Sequence, residues 1–127
     1  MKKIFITTVL ALSTMIFISC NEGNASSKVK KENVEVVSLS FFDIASDLDI
    51  GKVDQDYLFE VLSKIDLSES DALFVSCTAL PVLSLIDKLE KKLGKIVLSS
   101  NQTLIWDTLI EINYNKNIEG FGQLFKN

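Results

Sequence analysis

Residues 71–100 read DALFVSC, TALPVLSLIDKLEKKLG, KIVLSS, running from Asp71 to Ser100. Ala72–Ser76 is an apolar run with the length of a buried strand. Thr78 can cap a helix that follows, with Pro81 in its first turn, where a missing N–H is tolerated. Val82, Leu85, Ile86, Leu89 and Leu93 fall on one face of that helix; Asp87, Lys88, Glu90, Lys91 and Lys92 fall on the wet face. Gly94 ends it as a C′ glycine, and Ile96–Leu98 is the next strand. Strand, helix and strand in this order form the unit of a parallel sheet. Cys77 stands at its strand-to-helix turn, where an open α/β sheet places its chemistry.

The same alternation extends outward. Val34–Phe42 (VEVVSLSFF) is rich in β-branched and aromatic residues and is apolar on both faces toward its end, as parallel strands are. Asp43–Val53 is a loop with Gly51 as its tight-turn residue. Asp54 is a good N-cap, and Leu58, Val61, Leu62 and Ile65 form one helical stripe. Glu60 and Lys64 sit at i, i+4 in the favourable order on the wet side. After Ile96–Leu98, Ser99-Ser100-Asn101 opens a last helix in which Ile105, Leu109 and Ile112 share a face. The pattern from Val34 onward is β-α-β-α-β-α. It predicts an α/β fold of three layers, α/β/α, around a parallel sheet with right-handed crossovers.

Two readings of the N-terminus stand side by side. Met1-Lys2-Lys3 followed by IFITTVLALSTMIFIS is the layout of a secretory signal, too short for a transmembrane helix of roughly 20 residues. Phe17-Ile18-Ser19-Cys20 resembles a bacterial lipoprotein cleavage box. On this reading Cys20 is a lipidation site, residues 20–33 are a polar tether, residues 34–127 form the domain, and the protein is anchored at the cell membrane. On the other reading Lys3–Thr8 is a buried first strand with Val9–Ser19 as a helix behind it, and the protein is cytoplasmic.

Composition removes several functions. The 127 residues carry a formal net charge of −4, with no basic patch beyond Lys28–Lys31, so nucleic acid is not an expected partner. There are no histidines, which excludes Ser-His and Cys-His catalysis and the usual zinc sites. Cys20 and Cys77 are far apart and lack metal-ligand spacing, so no metal is expected. The acidic loop with Asp43, Asp47 and Asp49 has no EF-hand spacing and reads as solvated. Gly120-Phe121-Gly122 is not a dinucleotide fingerprint, since no strand precedes it and no helix follows.

Two candidates for chemistry remain. At a strand's carboxyl end beside a helix N-terminus, the helix dipole and free N–H groups favour a thiolate at Cys77, the form that acts as base or nucleophile. The alternative is a buried structural thiol, since free cysteine is among the most buried residue types. The N–H groups of Ser99–Gln102 can hold a carboxylate, or the segment is a plain N-cap.

The chain resembles a known family at these residues. DALFVSCT at Asp71–Thr78, then LIDKLEKKLGKIVLSSNQTLIWDTL, is similar to the C-terminal half of the aspartate/glutamate racemase superfamily, in its branch of maleate cis-trans isomerase and arylmalonate decarboxylase. That branch has a D-A-(apolar)-F-x-S-C-T strand, a helix ending E-x-x-L-G, and a K-P-V-V-x-S-N-Q-A-x-x-W segment. Gly120–Phe125 is similar to its closing G-Y-G-R-L-(L/F), and Asp49–Val53 to a loop of the same half. The resemblance covers roughly residues 33–127. It implies one half, the second domain, of a two-domain racemase-like fold whose substrate cleft lies between the halves, so that 34–127 is an incomplete unit. It implies a cofactor-independent isomerase, racemase or decarboxylase acting on a small dicarboxylate, of the maleate, aspartate/glutamate or arylmalonate type. Cys77 matches the second-half catalytic cysteine; Thr78, Ser100 and Asn101 would bind substrate. Another chain, or a homodimer, would supply the facing half. The competing expectation is a non-catalytic membrane-anchored lipoprotein that carries a truncated racemase-like domain. In the family's 2-1-3-4 sheet the first strand is central, and Lys3–Thr8 can fill that place if it is retained.

Overall fold

The structure, a computed structural model, describes residues 2–8, 34–44 and 46–126. Its frame is one four-stranded, wholly parallel sheet in the order β2-β1-β3-β4. The strands are β1 (Lys2–Thr8), β2 (Val34–Phe41), β3 (Ala72–Ser76) and β4 (Ile96–Ser99). A four-residue helix α1 (Asp47–Ile50) and helix α2 (Gln55–Ser63) join β2 to β3. A 3₁₀ turn (Leu83–Leu85) and α3 (Ile86–Leu93) join β3 to β4. Helix α4 (Ser100–Glu111) and a 3₁₀ turn at Gln123–Lys126 follow.

Lys2–Thr8 is therefore a strand, and it is central. Ile4 pairs with Val36 on one side and with Ala72 on the other. Its start is pinned to β3: the Lys3 N–H donates to the Asp71 carboxylate at 2.7 Å, and the Asp71 N–H donates to the Lys3 carbonyl at 2.7 Å. A central strand and a cleaved signal cannot be the same residues of one folded molecule. Cys20, the Val9–Ser19 helix and the 20–33 tether lie outside the described residues.

The sheet alternates as its register requires. Leu73, Val75 and Val97 point to one face and are essentially inaccessible, packed with Leu58 and Leu62 of α2 and with Leu85, Ile86 and Leu89 of the α3 segment. This core bears out the apolar stripes read for both helices. The Asp54 side chain caps α2 by accepting from the Tyr57 N–H at 2.9 Å, and Gly94 closes α3 in the left-handed region at φ 63°. The opposite sheet face is less covered: Phe74 and Leu98 are half-buried and Ile96 is exposed.

Expectation and structure differ at several points. The helix after Cys77 does not start at Thr78. Pro81 disfavours helical backbone at the residue before it, Val82 donates back to the Leu80 carbonyl at 2.8 Å, and regular helix begins at Ile86 with no side-chain cap. Glu90 is not on the wet face but buried, for reasons given below. In α4 the face with Ile105 and Ile112 is exposed, and Gln102 is the buried residue, because only the first turn is drawn in by its cap. β2 is the edge strand that the 2-1-3-4 order implies, but it is not covered on both faces as its apolar end suggests: Val36, Leu39 and Phe41 are 40%, 49% and 51% exposed. Asp43–Val53 is not wholly a loop, since Asp47–Ile50 forms α1, and Gly51 ends that helix at φ −65°, which any residue adopts.

Candidate active site

Cys77 follows the last residue of β3, at the carboxyl edge of the sheet, half-exposed with its side chain against the core. The strand places it there because Leu73 and Val75 lock the register below it. The stretch after it, Thr78 to Val82, is the non-helical segment enforced by Pro81. The helix whose N-terminus meets this segment is therefore α4 rather than α3. Val75 pairs with Ser99, so α4 starts beside the end of β3. The Asn101 Nδ2 then donates to the Thr78 carbonyl at 2.9 Å and ties the first turn of α4 to the residue after Cys77.

The head of α4 is built as a reciprocal cap. Ser99 Oγ accepts from the Gln102 N–H at 3.3 Å, while Gln102 Oε1 accepts from the Ser99 N–H at 3.2 Å. The N–H groups of Ser100 and Asn101 head the helix without intrahelical acceptors, the usual condition of a first turn and the basis of anion binding there. The carboxyl edge thus joins Cys77, Thr78, Ser100 and Asn101. In this arrangement Asn101 uses one amide hydrogen to hold the Thr78 loop, which makes it a positioning residue as well as a binding candidate. Helix α1 borders the same edge, since the open side of Gly51 faces the Ala79 carbonyl at 3.9 Å from a Cβ position.

Two buried polar residues hold this edge in place. Gln102 is fully buried, and its Nε2 donates to the Phe121 carbonyl at 2.6 Å. Glu90 is 7% exposed; Oε1 accepts from the Val97 N–H of β4 at 3.1 Å and Oε2 from the Gln123 N–H at 2.8 Å. Between them they clip the C-terminal turn over the outer side of β4. Gly122 makes that approach possible: at φ 84° it lies where a Cβ would sit 2.6 Å from Ile86 Cγ2. The Ser-x-x-Gln signature of the cap was readable in the sequence. The role of Glu90 was not, because its spacing on the helix is that of a solvated residue.

Comparison with known proteins agrees with this frame. The sequence profile of arylmalonate decarboxylase matches residues 8–125. The chain belongs to the arylmalonate decarboxylase family. It is 28% identical over 97 residues to a maleate isomerase of Geobacillus stearothermophilus, covering 76% of this chain and 39% of that protein. Among solved structures it superimposes on a sulfate-associated mutant of arylmalonate decarboxylase with a TM-score of 0.77, at 20% identity over 99% of this chain and 52% of that one. A Pseudomonas putida S16 maleate isomerase mutant with maleate gives 0.78 at 18% identity, over 98% and 47%. A Nocardia farcinica maleate cis-trans isomerase mutant with a covalently bound succinylcysteine intermediate gives 0.76 at 20%, over 98% and 48%. The chain spans about two-fifths of the curated relative and about half of each solved one. The family profile runs through the residues that follow β1, so the match takes in more of the chain than residues 33–127 alone.

Proposed function

We propose that the protein is the second-half unit of a cofactor-independent, cysteine-dependent isomerase, racemase or decarboxylase of small dicarboxylates. The observation that carries this reading is the placement of Cys77: a half-exposed thiol at the carboxyl end of a core strand, next to the first turn of α4. A carboxylate of the substrate would lie against the N–H groups of Ser100 and Asn101 and of Thr78. Its reacting carbon would then face Sγ of Cys77. As a thiol, Cys77 gives its proton to a carbanion formed next to a carboxylate. As a thiolate, it adds to an alkene carbon, and the new C–S bond breaks again after rotation about the former double bond. The covalent succinylcysteine in the Nocardia farcinica relative is the precedent for the second route. The facing half of the cleft would come from another chain, a second copy included, or from sequence beyond this one.

The test is turnover of maleate, aspartate and an arylmalonate by the full chain, alone and with candidate partner chains. Cys77→Ser should reduce any turnover by about 10²–10⁴-fold, the range of a lost acid–base group. Absence of turnover with every partner removes the proposal.

A second reading is a membrane-anchored lipoprotein with a non-catalytic domain, favoured by the run that leads to Cys20. It requires the residues of β1 to be lost from the mature protein. Intact mass of the natural protein separates the two: a lipid-modified N-terminus at Cys20 supports the anchor, and a mass that includes residues 1–8 supports the sheet.

A further inference from the structure

Strand β2 forms one edge of the sheet. It is paired on one side to β1, and its eight residues, VEVVSLSF, hold one charged group, Glu35, and no lysine or proline. Lysine, proline and charge are among the devices that keep an edge strand from pairing with another chain; a bulge is another, and here it and Glu35 are the ones β2 carries. Ile4 pairs with Val36, but Phe5 pairs with Ser38, so Val37 is the extra residue. The bulge decides which residues share a face. Val34, Val36, Leu39 and Phe41 pair with Lys2, Ile4, Ile6 and Thr8, alternate residues of β1, and therefore lie on one face. Glu35, Ser38 and Ser40 lie on the other. Without the bulge, Val36 and Leu39 would be on opposite faces.

The resulting pattern reads the same from both ends: apolar, polar, apolar, the bulge, apolar, polar, apolar. We propose that β2 pairs antiparallel with β2 of a second copy of this chain, about a two-fold axis between Val37 and Ser38, to give a continuous eight-stranded sheet. In that register Val34 stands opposite the partner's Phe41, Val36 opposite the partner's Leu39, and Glu35 opposite the partner's Ser40. Every directly opposed pair outside the bulge lies on one face, as antiparallel pairing demands. The exposed Val36, Leu39 and Phe41 each gain an apolar neighbour, and the two Glu35 carboxylates are kept apart. An unrelated partner would have no reason to match this symmetry; a second copy matches it by construction.

The polar face of β2 borders a groove of about 450 Å³ lined by Val37, Ser38, Ser40 and the 65–70 loop, with Asp66 and Glu69 in it. The partner's Glu35 approaches the same side, so the pairing should tighten as salt screens these like charges. Antiparallel pairing points the carboxyl ends of the two β3 strands in opposite directions. The contact therefore leaves each Cys77 edge free for the facing half of its cleft, and it does not depend on the catalytic reading.

Sedimentation velocity of the full chain in the micromolar range tests this. The wild type should be a dimer, and Val36→Lys and Leu39→Lys should each yield monomer with the circular dichroism of the wild type. Should either substitution unfold the chain, a second experiment decides. Glu35→Cys and Ser40→Cys chains, both also carrying Cys20→Ser and Cys77→Ser, are mixed and oxidised, and a disulfide-linked heterodimer is expected. A monomeric wild type, a dimer unaffected in folded lysine variants, or no cross-link between positions 35 and 40 overturns the proposal.

Discussion

At the scale of the residue, two carboxyl-bearing positions show how burial and exposure divide structural from rim roles. Glu90 accepts hydrogen bonds from two backbone N–H groups, those of Val97 and Gln123. Glu90→Ala should cost about 1–3 kcal/mol, the penalty of leaving the buried Val97 N–H unmet, read as a shift in the urea midpoint. Asp47, in contrast, is exposed on α1 at the carboxyl edge of the sheet. Its negative charge opposes a dicarboxylate entering that edge. Under the proposed activity, Asp47→Asn should lower KM while leaving the melting temperature in place. The glycines separate in the same way. Gly122→Ala should destabilise by about 1–3 kcal/mol, since its Cβ would overlap Ile86 and its φ is positive. Gly51→Ala, at ordinary φ and with a Cβ that would meet the Asp47, Leu48 and Ala79 carbonyl oxygens no closer than 3.8 Å, should be neutral or stabilising by up to about 1 kcal/mol. Equal effects at both glycines would contradict this account of the C-terminal approach.

At the scale of the element, α3 ties the C-terminal turn by charge as well as by Glu90. Asp87 pairs with Lys91 at 2.7 Å and with Lys126 at 3.5 Å. The hydrogen bond from Lys91 holds the Asp87 carboxyl below its ordinary value of 3.8, with smaller contributions from the charges of Lys91 and Lys126. A lowered acid contributes stability that is fully present above the unfolded value. That contribution is lost as pH falls through the lower folded value. The thermal midpoints of wild type and Asp87→Asn should therefore differ at neutral pH and converge well below pH 3.8. A gap that persists in strong acid would assign it to something other than ionisation. The elements also show what was legible. α2, β3, the apolar face of α3 and β4 follow directly from their spacing and caps. The start of α3 was misread because Thr78 looks like a cap and Pro81 like a first-turn residue. The backbone instead satisfied itself with a turn at Leu80–Val82 before the helix could begin. Ile105 and Ile112 lie on the exposed side of α4, because apolar spacing says which residues share a face, not whether another layer covers it.

At the scale of the molecule, the open question in the sequence was the N-terminal run, which has the composition of a signal and of a buried parallel strand alike. Hydropathy cannot separate these, because both present a short apolar run after Lys2-Lys3. In the folded chain this run is a strand: β1 lies between β2 and β3, and no other described strand bridges them. A chain that begins at Cys20 should therefore lose cooperative unfolding, whereas truncation of an edge would leave a smaller sheet. Measured by denaturant titration, a truncated chain as stable as the full one would contradict the central place of β1. The carboxyl edge of this sheet, with Cys77 between the end of β3 and the head of α4, is the molecule's candidate for chemistry.

The most direct measurement of that claim is proton NMR of maleate and of an arylmalonate incubated in deuterated buffer with the full chain and with Cys77→Ser, each with and without its facing half. The account predicts fumarate, or deuterium at the decarboxylated carbon, with the wild type and neither with the folded Cys77→Ser protein. Equal conversion by the two proteins would contradict it.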